Sequence, residues 1–231
     1  MRSSLSLVLT FCLVGALVSM PKHLSAQGEV ERLGGECDAG NAEACVDLGQ
    51  LHRRGAGVSQ NKGRAASLYQ RACDLDSGRG CRELGQSYRF GHGVGRDSTR
   101  AFSLYEQACD LGDGVGCYYF GQVYRHGNGV PKDYERASAI FELGCDLGAS
   151  LSCTSGATLH HPGQRGEVKD PVRWQAFAQK ACDLEEEYYC FALALASDIG
   201  MWVAKDTARA NELFKKACLF GQEEACEMVR R

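Results

Sequence analysis

Small and apolar residues recur along the chain in a fixed order. After Cys81, Leu84, Gly85 and Tyr88 fall three, four and seven residues on, a spacing that places them on one face of an α-helix. The same offsets give Leu48 and Gly49 after Cys45, and Phe120, Gly121 and Tyr124 after Cys117. A glycine within that face lets a neighbouring helix come close. Each face is followed by paired glycines, Gly55/Gly57, Gly91/Gly93 and Gly127/Gly129, which supply the left-handed backbone that a helix exit favours. A second helix is predicted to open at Asp97. Asn61, Asp133, Asp170 and Asp206 hold the equivalent position, and all can accept hydrogen bonds from the exposed amides of a first turn. Ala101, Tyr105 and Ala108 then mark its apolar face, and it ends near Leu111, where a Gly-Asp-Gly turn leads to the next unit.

The units are in register with paired cysteines: Cys37/Cys45, Cys73/Cys81, Cys109/Cys117, Cys145/Cys153, Cys182/Cys190 and Cys218/Cys226. Their first members are separated by 36, 36, 36, 37 and 36 residues. A period in the mid-thirties belongs to stacked helical hairpins, whose units bury an apolar face only by piling up. The fold expected is an all-α solenoid. Five repeats span residues 45–80, 81–116, 117–152, 153–189 and 190–225, with an N-terminal capping half repeat over 27–44 and a C-terminal cap over 226–231. The pattern weakens late in the chain. The fourth unit has His160 in place of Tyr124, an extra residue between Gly163 and Gly166, and Trp174 in the alanine slot. The fifth has Ala194 for Gly121 and Trp202 for a loop glycine.

Residues 1–26 read as a signal peptide: Arg2, an apolar run from Leu5 to Met20, and a small-residue exit at Leu24, Ser25 and Ala26. The run is shorter than a spanning helix needs, so no membrane insertion is expected once the signal is removed. Phe11 before Cys12 is too bulky for a lipid-attachment site. Removing the signal leaves twelve of the 13 cysteines, an even number in a chain bound for an oxidising, secreted or periplasmic compartment. Disulfides within each pair are the reading, against buried free thiols or a zinc site, which wants cysteines two to four residues apart. Closing a ring of about eight residues is worth roughly 2.5 kcal/mol on the loop-entropy model. The leader also takes Arg2 and Lys22, leaving 24 basic against 29 acidic residues, a formal net charge of −5. That balance does not point to nucleic acid.

At Leu84, Gly85, Tyr88, Gly91, Gly93, Val94, Asp97 and Ala101 the chain resembles the Sel1-like repeat family, and the paired cysteines bring it closer to the family's secreted, cysteine-rich Hcp type. The resemblance covers roughly residues 37 to 231. It implies a right-handed superhelix of antiparallel helix pairs, related to tetratricopeptide arrays and serving as an adaptor. Some cysteine-rich members are described as binding penicillin and hydrolysing β-lactams weakly. The resemblance carries no catalytic motif over to this chain.

Candidate chemistry is sparse. Ser59, Gln60, Asn61 and Lys62 spell the Ser-x-x-Lys tetrad of penicillin-recognising serine enzymes, but the companion elements are absent and Asn61 is needed as a helix cap. The recurring glycines punctuate the repeat and do not form a phosphate loop. Adjacent His160 and His161 point to different helix faces; His160 reads as a packing substitute for tyrosine and His161 as a surface residue. No catalytic residue, metal or cofactor is assigned. The stronger pattern lies five and eight residues after the cysteine, where Gln50 and Arg53, Gln86 and Arg89, and Gln122 and Arg125 recur in register. Tyr118 shares the stripe. Residues three apart share a helix face, so stacked units align them as a ladder. A solvated polar face accounts for the ladder; so does a groove in which arginine forks grip carboxylates and glutamine amides meet an extended peptide. The expected role is an exported scaffold for protein or peptide partners. The alternatives are a β-lactam-binding protein or weak β-lactamase, and an envelope factor that co-purifies with a peptidoglycan-related ligand.

Overall fold

The computed structural model describes residues 22–163 and 168–229, with side chains from Gln27 onward. The expected signal peptide as far as Pro21, Gly166 and the last two residues of the expected C-terminal cap lie outside the described residues. Among the described residues there are twelve helices and no strands. A leading helix α1 (Lys22–Asp38) is followed by five antiparallel pairs: α2 (Ala42–Arg54) with α3 (Lys62–Asp74), α4 (Gly78–Phe90) with α5 (Ser98–Asp110), α6 (Gly114–His126) with α7 (Tyr134–Asp146), α8 (Ser150–Leu159) with α9 (Pro171–Asp183), and α10 (Glu187–Ile199) with α11 (Thr207–Leu219). A short α12 (Glu223–Val229) closes the array. Each helix packs on the next, as in an α-solenoid, and the first helices α2, α4, α6 and α8 also touch one another in turn. Among the second helices only α7 and α9 make a comparable contact, so the first helices lie closer together along most of the array. No described helix is long and apolar enough to cross a membrane.

The local chemistry of each unit follows the repeat. Side chains of Asn61, Asp97, Asp133, Asp170 and Asp206 each accept from first-turn amides of a second helix. The backbone N–H of the same residue donates back to the carbonyl of His52, Tyr88, Tyr124, His160 or Ser197, closing the loop between the paired helices. Four first helices end on a left-handed glycine: Gly55, Gly91, Gly127 and Gly200. The bridges Cys37–Cys45, Cys73–Cys81, Cys109–Cys117, Cys145–Cys153, Cys182–Cys190 and Cys218–Cys226 are all formed, each joining the end of one helix to the start of the next.

Within a unit the helix pair closes on a glycine facing an aromatic ring. A Cβ on Gly49 would come within 2.5 Å of the Tyr69 ring, one on Gly85 within 2.8 Å of Tyr105, and one on Gly121 within 2.5 Å of Phe141. The fourth unit keeps this device in a shifted register. Gly156 meets Phe177 at 2.3 Å: Gly156 falls three residues after Cys153 where its counterparts fall four, and Phe177 seven after its cap Asp170 where its counterparts fall eight, so Ala157 and Ala178 take the vacated slots. Trp174 then fills the alanine slot and is buried. The extra residue is absorbed because α8 stops at Leu159, ahead of Pro162, whose ring disfavours continuation of a helix.

One expectation is corrected. His161 is not a plain surface residue: it is half-buried, with ring centroids 6.0 Å from Trp174 and 5.4 Å from Trp202. Trp202 takes the left-handed backbone of the glycine it replaces, at φ 66°, and its contact with Trp174 at 5.8 Å offsets a conformation that costs a non-glycine residue on the order of 1 kcal/mol. His160 is buried as a packing residue, its ring stacked on Phe177 at 5.9 Å.

The glycine contact gives a test of sign. Gly121→Ala gains about 1 kcal/mol of helix propensity but drives a methyl into the buried Phe141 ring, an overpacking cost of about 1–3 kcal/mol. Urea unfolding of the oxidised protein is expected to show net destabilisation. Gly28→Ala, whose added Cβ meets nothing within 4 Å, is expected to be neutral or stabilising.

Candidate functional site

A cavity of about 550 Å³ opens between the second and third units. Arg89 enters it from the last turn of α4, Tyr105 from α5, and Tyr118, Tyr119 and Gln122 from α6. Its position follows from the disulfide: Cys109 lies one helical turn after Tyr105, and Cys117 immediately precedes Tyr118. The bridge therefore brings Tyr105 against Tyr119, with ring centroids 5.1 Å apart and stacked, and Tyr118 meets Tyr119 edge-on at 4.9 Å. No aspartate or glutamate lines the cavity. Glu83 and Asp113, which border this region, are both held by Arg82, at 2.8 and 2.9 Å.

The electrostatics favour neutral phenols and an anionic guest. Burial pushes the Tyr105 hydroxyl up to about 12, against an opposing pull from the Arg89 guanidinium beside it. Burial, then Tyr118, raises Tyr119 as well. The Tyr105 hydroxyl and the Gln122 Oε1 atom are buried without a hydrogen-bond partner. Unsatisfied polar atoms cost about 1–3 kcal/mol each, so two beside one opening mark a place where a ligand can supply what the chain does not.

The ladder read from the sequence is divided by the fold. Arg89, Tyr118 and Gln122 share the cavity; Gln50, Arg53, Gln86 and Arg125 do not line it. Arg53 lies beside the Tyr69 hydroxyl instead, and Gln122 also reaches α8, where its Nε2 donates to Ser155 Oγ at 3.5 Å. Sequence reading missed Tyr105 and Tyr119. Tyr105 was legible only as a core position, and nothing in the period distinguished Tyr119 from its neighbours.

Two arrangements that resemble catalytic groups do not support chemistry. Ser59 is exposed in the loop before α3, Asn61 caps that helix, and Lys62 is its first residue, so the serine and lysine do not share a helical face. Ser138 and His160 form a 2.7 Å hydrogen bond, yet both are sealed in the core and the other ring nitrogen of His160 has no partner to orient it. Among the described residues no group of three or more histidine, cysteine or carboxylate side chains converges to hold a metal ion.

A Sel1 repeat profile matches residues 42–77, 78–113, 114–148 and 188–219, more than half of the chain. The chain belongs to the Sel1 repeat family. The segment between the third and fourth matches is the unit with the shifted glycine and the buried tryptophan. A Sel1 repeat protein from Oxalobacter formigenes is similar in structure at 20% identity, with a TM-score of 0.67 over 90% of this chain and 86% of that one. A putative Sel1 repeat protein from Klebsiella pneumoniae gives 17% identity and a TM-score of 0.50 over 87% of this chain and 98% of the other. Helicobacter pylori cysteine-rich protein B is 30% identical, with a TM-score of 0.48 over 58% of this chain and 96% of that protein. No curated protein sequence matches the chain. Sel1 repeats mediate protein interactions, and the cavity of this Sel1 chain lies between the first helices α4 and α6 and the second helix α5.

The Tyr105 assignment predicts the alkaline behaviour of the Sel1 array. A phenol raised from 10 in the unfolded chain to about 12 in the fold favours the protonated native state, so its contribution is intact below pH 10 and is lost as pH rises from about 10 to 12. Stability measured by urea unfolding is expected to fall across that window, with a smaller fall in Tyr105→Phe.

Proposed function

We propose that the protein is an exported Sel1 repeat scaffold that holds an extended peptide segment of a partner along its first helices, anchored in the cavity between the second and third units. The observation that carries this reading is the cavity itself: tyrosine walls, the Arg89 guanidinium, no acidic lining residue and two buried polar atoms awaiting partners. Tyrosine and arginine are the residue types that dominate binding hot spots, because they offer large contact area with a polar tip. Export is supported by the six bridges, which persist in an oxidising compartment, and by the apolar leader over residues 1–26. The division into five repeats with terminal caps belongs to the same reading. The alternatives, β-lactam binding and a peptidoglycan-related ligand, have no comparable support in the geometry.

A photo-crosslinking residue placed at Tyr118 is expected to trap a peptide-bearing partner from the oxidising compartment, whereas one at exposed Ser103 on the second helix α5 is expected to trap none. The double variant Arg53→Glu, Arg89→Glu should abolish the Tyr118 adduct while leaving helicity by circular dichroism unchanged. Equal trapping at both positions, or an undiminished adduct in the charge-reversed variant, would contradict the reading.

A further inference from the structure

We infer that the cavity between the second and third units takes a carboxylate carried beside a peptide amide. The inference rests on the peptide-scaffold reading and narrows it. Shifting by the 36-residue period carries Arg53, Tyr69 and Glu83 onto Arg89, Tyr105 and Tyr119. At the first junction the Arg53 guanidinium lies beside the Tyr69 hydroxyl, and the nearby Glu83 carboxylate is taken up by Arg82 at 2.8 Å, so the Tyr69 hydroxyl and Arg53 Nε are themselves buried without a hydrogen-bond partner. At the second junction the guanidinium and phenol keep their relation, but position 119 is a tyrosine and brings no carboxylate. Tyr105 is 2% exposed, and its hydroxyl is left without a partner.

The unmet polar atoms specify the guest. The Tyr105 O–H and the Arg89 guanidinium are donors, suited to a carboxylate oxygen. Gln122 Oε1, buried and unpartnered on α6, is an acceptor and calls for an N–H within the same ligand. An acidic peptide supplies both, and the Tyr118 and Tyr119 rings offer apolar surface to its stem. The third junction cannot repeat the site, because Phe141 stands where Tyr105 does and has no hydroxyl. The carboxylate could be a side chain or a chain terminus; the chemistry at Arg89 is the same for either.

Three short fluorescein-labelled peptides of glycine, serine and leucine separate these sources by fluorescence anisotropy on the oxidised protein. One has a free C-terminal carboxylate and no acidic side chain, one is amidated with a single internal glutamate, and one is amidated with glutamine in its place. At least one carboxylate probe is expected to bind about tenfold or more tighter than the neutral probe, as hydrogen bonds to a charged group imply. The tighter of the two identifies the source. Arg89→Met should erase the preference. Tyr119→Glu, which sets a negative charge in the cavity wall, should abolish binding of the carboxylate probes, whereas Tyr119→Gln should retain it; Arg89→Met carries the test if either Tyr119 variant fails to fold by circular dichroism. Equal binding of all three probes overturns the carboxylate assignment and leaves the peptide scaffold standing. Binding by none overturns both, and folded Tyr119→Glu and Tyr119→Gln proteins that bind alike overturn the carboxylate assignment.

Discussion

The eight-residue disulfide ring is the constraint on which the array depends. It seizes the last turn of one helical hairpin and the first turn of the next, holding their Cα atoms 4.5–4.7 Å apart. Such an approach requires small neighbours. A Cβ on Gly80 would lie 2.6 Å from that of Ala72, and one on Gly116 would lie 2.6 Å from that of Ala108. At the fourth bridge the sizes are exchanged: Gly144 makes room for Ser152, whose hydroxyl donates to the Gly114 carbonyl at 3.1 Å. Close packing tolerates the exchange because the summed volume is kept. Hairpins that would be only marginally stable alone are thereby coupled to their neighbours at about 2.5 kcal/mol of loop entropy per bridge.

The same coupling makes the candidate site. Tyr105 and Tyr119 belong to different hairpins and stack because the Cys109–Cys117 bridge lies one turn from one and two residues from the other. Arg89 is delivered by the end of α4 and Gln122 by the middle of α6. No single unit contains the constellation, so a peptide bound there would read the junction between units. The junctions differ at the aligned positions: Tyr69 and Glu83 at the first, Tyr105 and Tyr119 at the second, Phe141 and Ser155 at the third.

Most of the fold was legible in the sequence because its signals are periodic and local. The cap residues from Asn61 to Asp206, the left-handed glycines and the cysteine spacing each specify backbone within a few residues, and all appear where the register puts them. The fourth unit was harder to read. Alignment on Cys153 makes Trp174 look like a disruption, since it leaves Phe177 in the usual aromatic slot and hides that Phe177 sits one residue early after its cap Asp170, as Gly156 does after the cysteine. His161 looked exposed for a related reason: its partners Trp174 and Trp202 come from two other elements and share no short-range pattern with it. The ladder of glutamines and arginines was visible, but its division was not. Arg53 and Arg89 hold the same place in the register, and only the placement of neighbouring helices side by side shows that Arg89 lines a cavity while Arg53 lies beside Tyr69.

Hydrogen–deuterium exchange on the fully oxidised chain and on a Cys109→Ala, Cys117→Ala variant tests the central claim most directly. The account predicts that protection falls at the junction, in the last turn of α5 and the first turns of α6 around Tyr118 and Tyr119, while α2, α3, α10 and α11 keep theirs. Unchanged protection at that junction, or a loss spread evenly over the whole array, would contradict it.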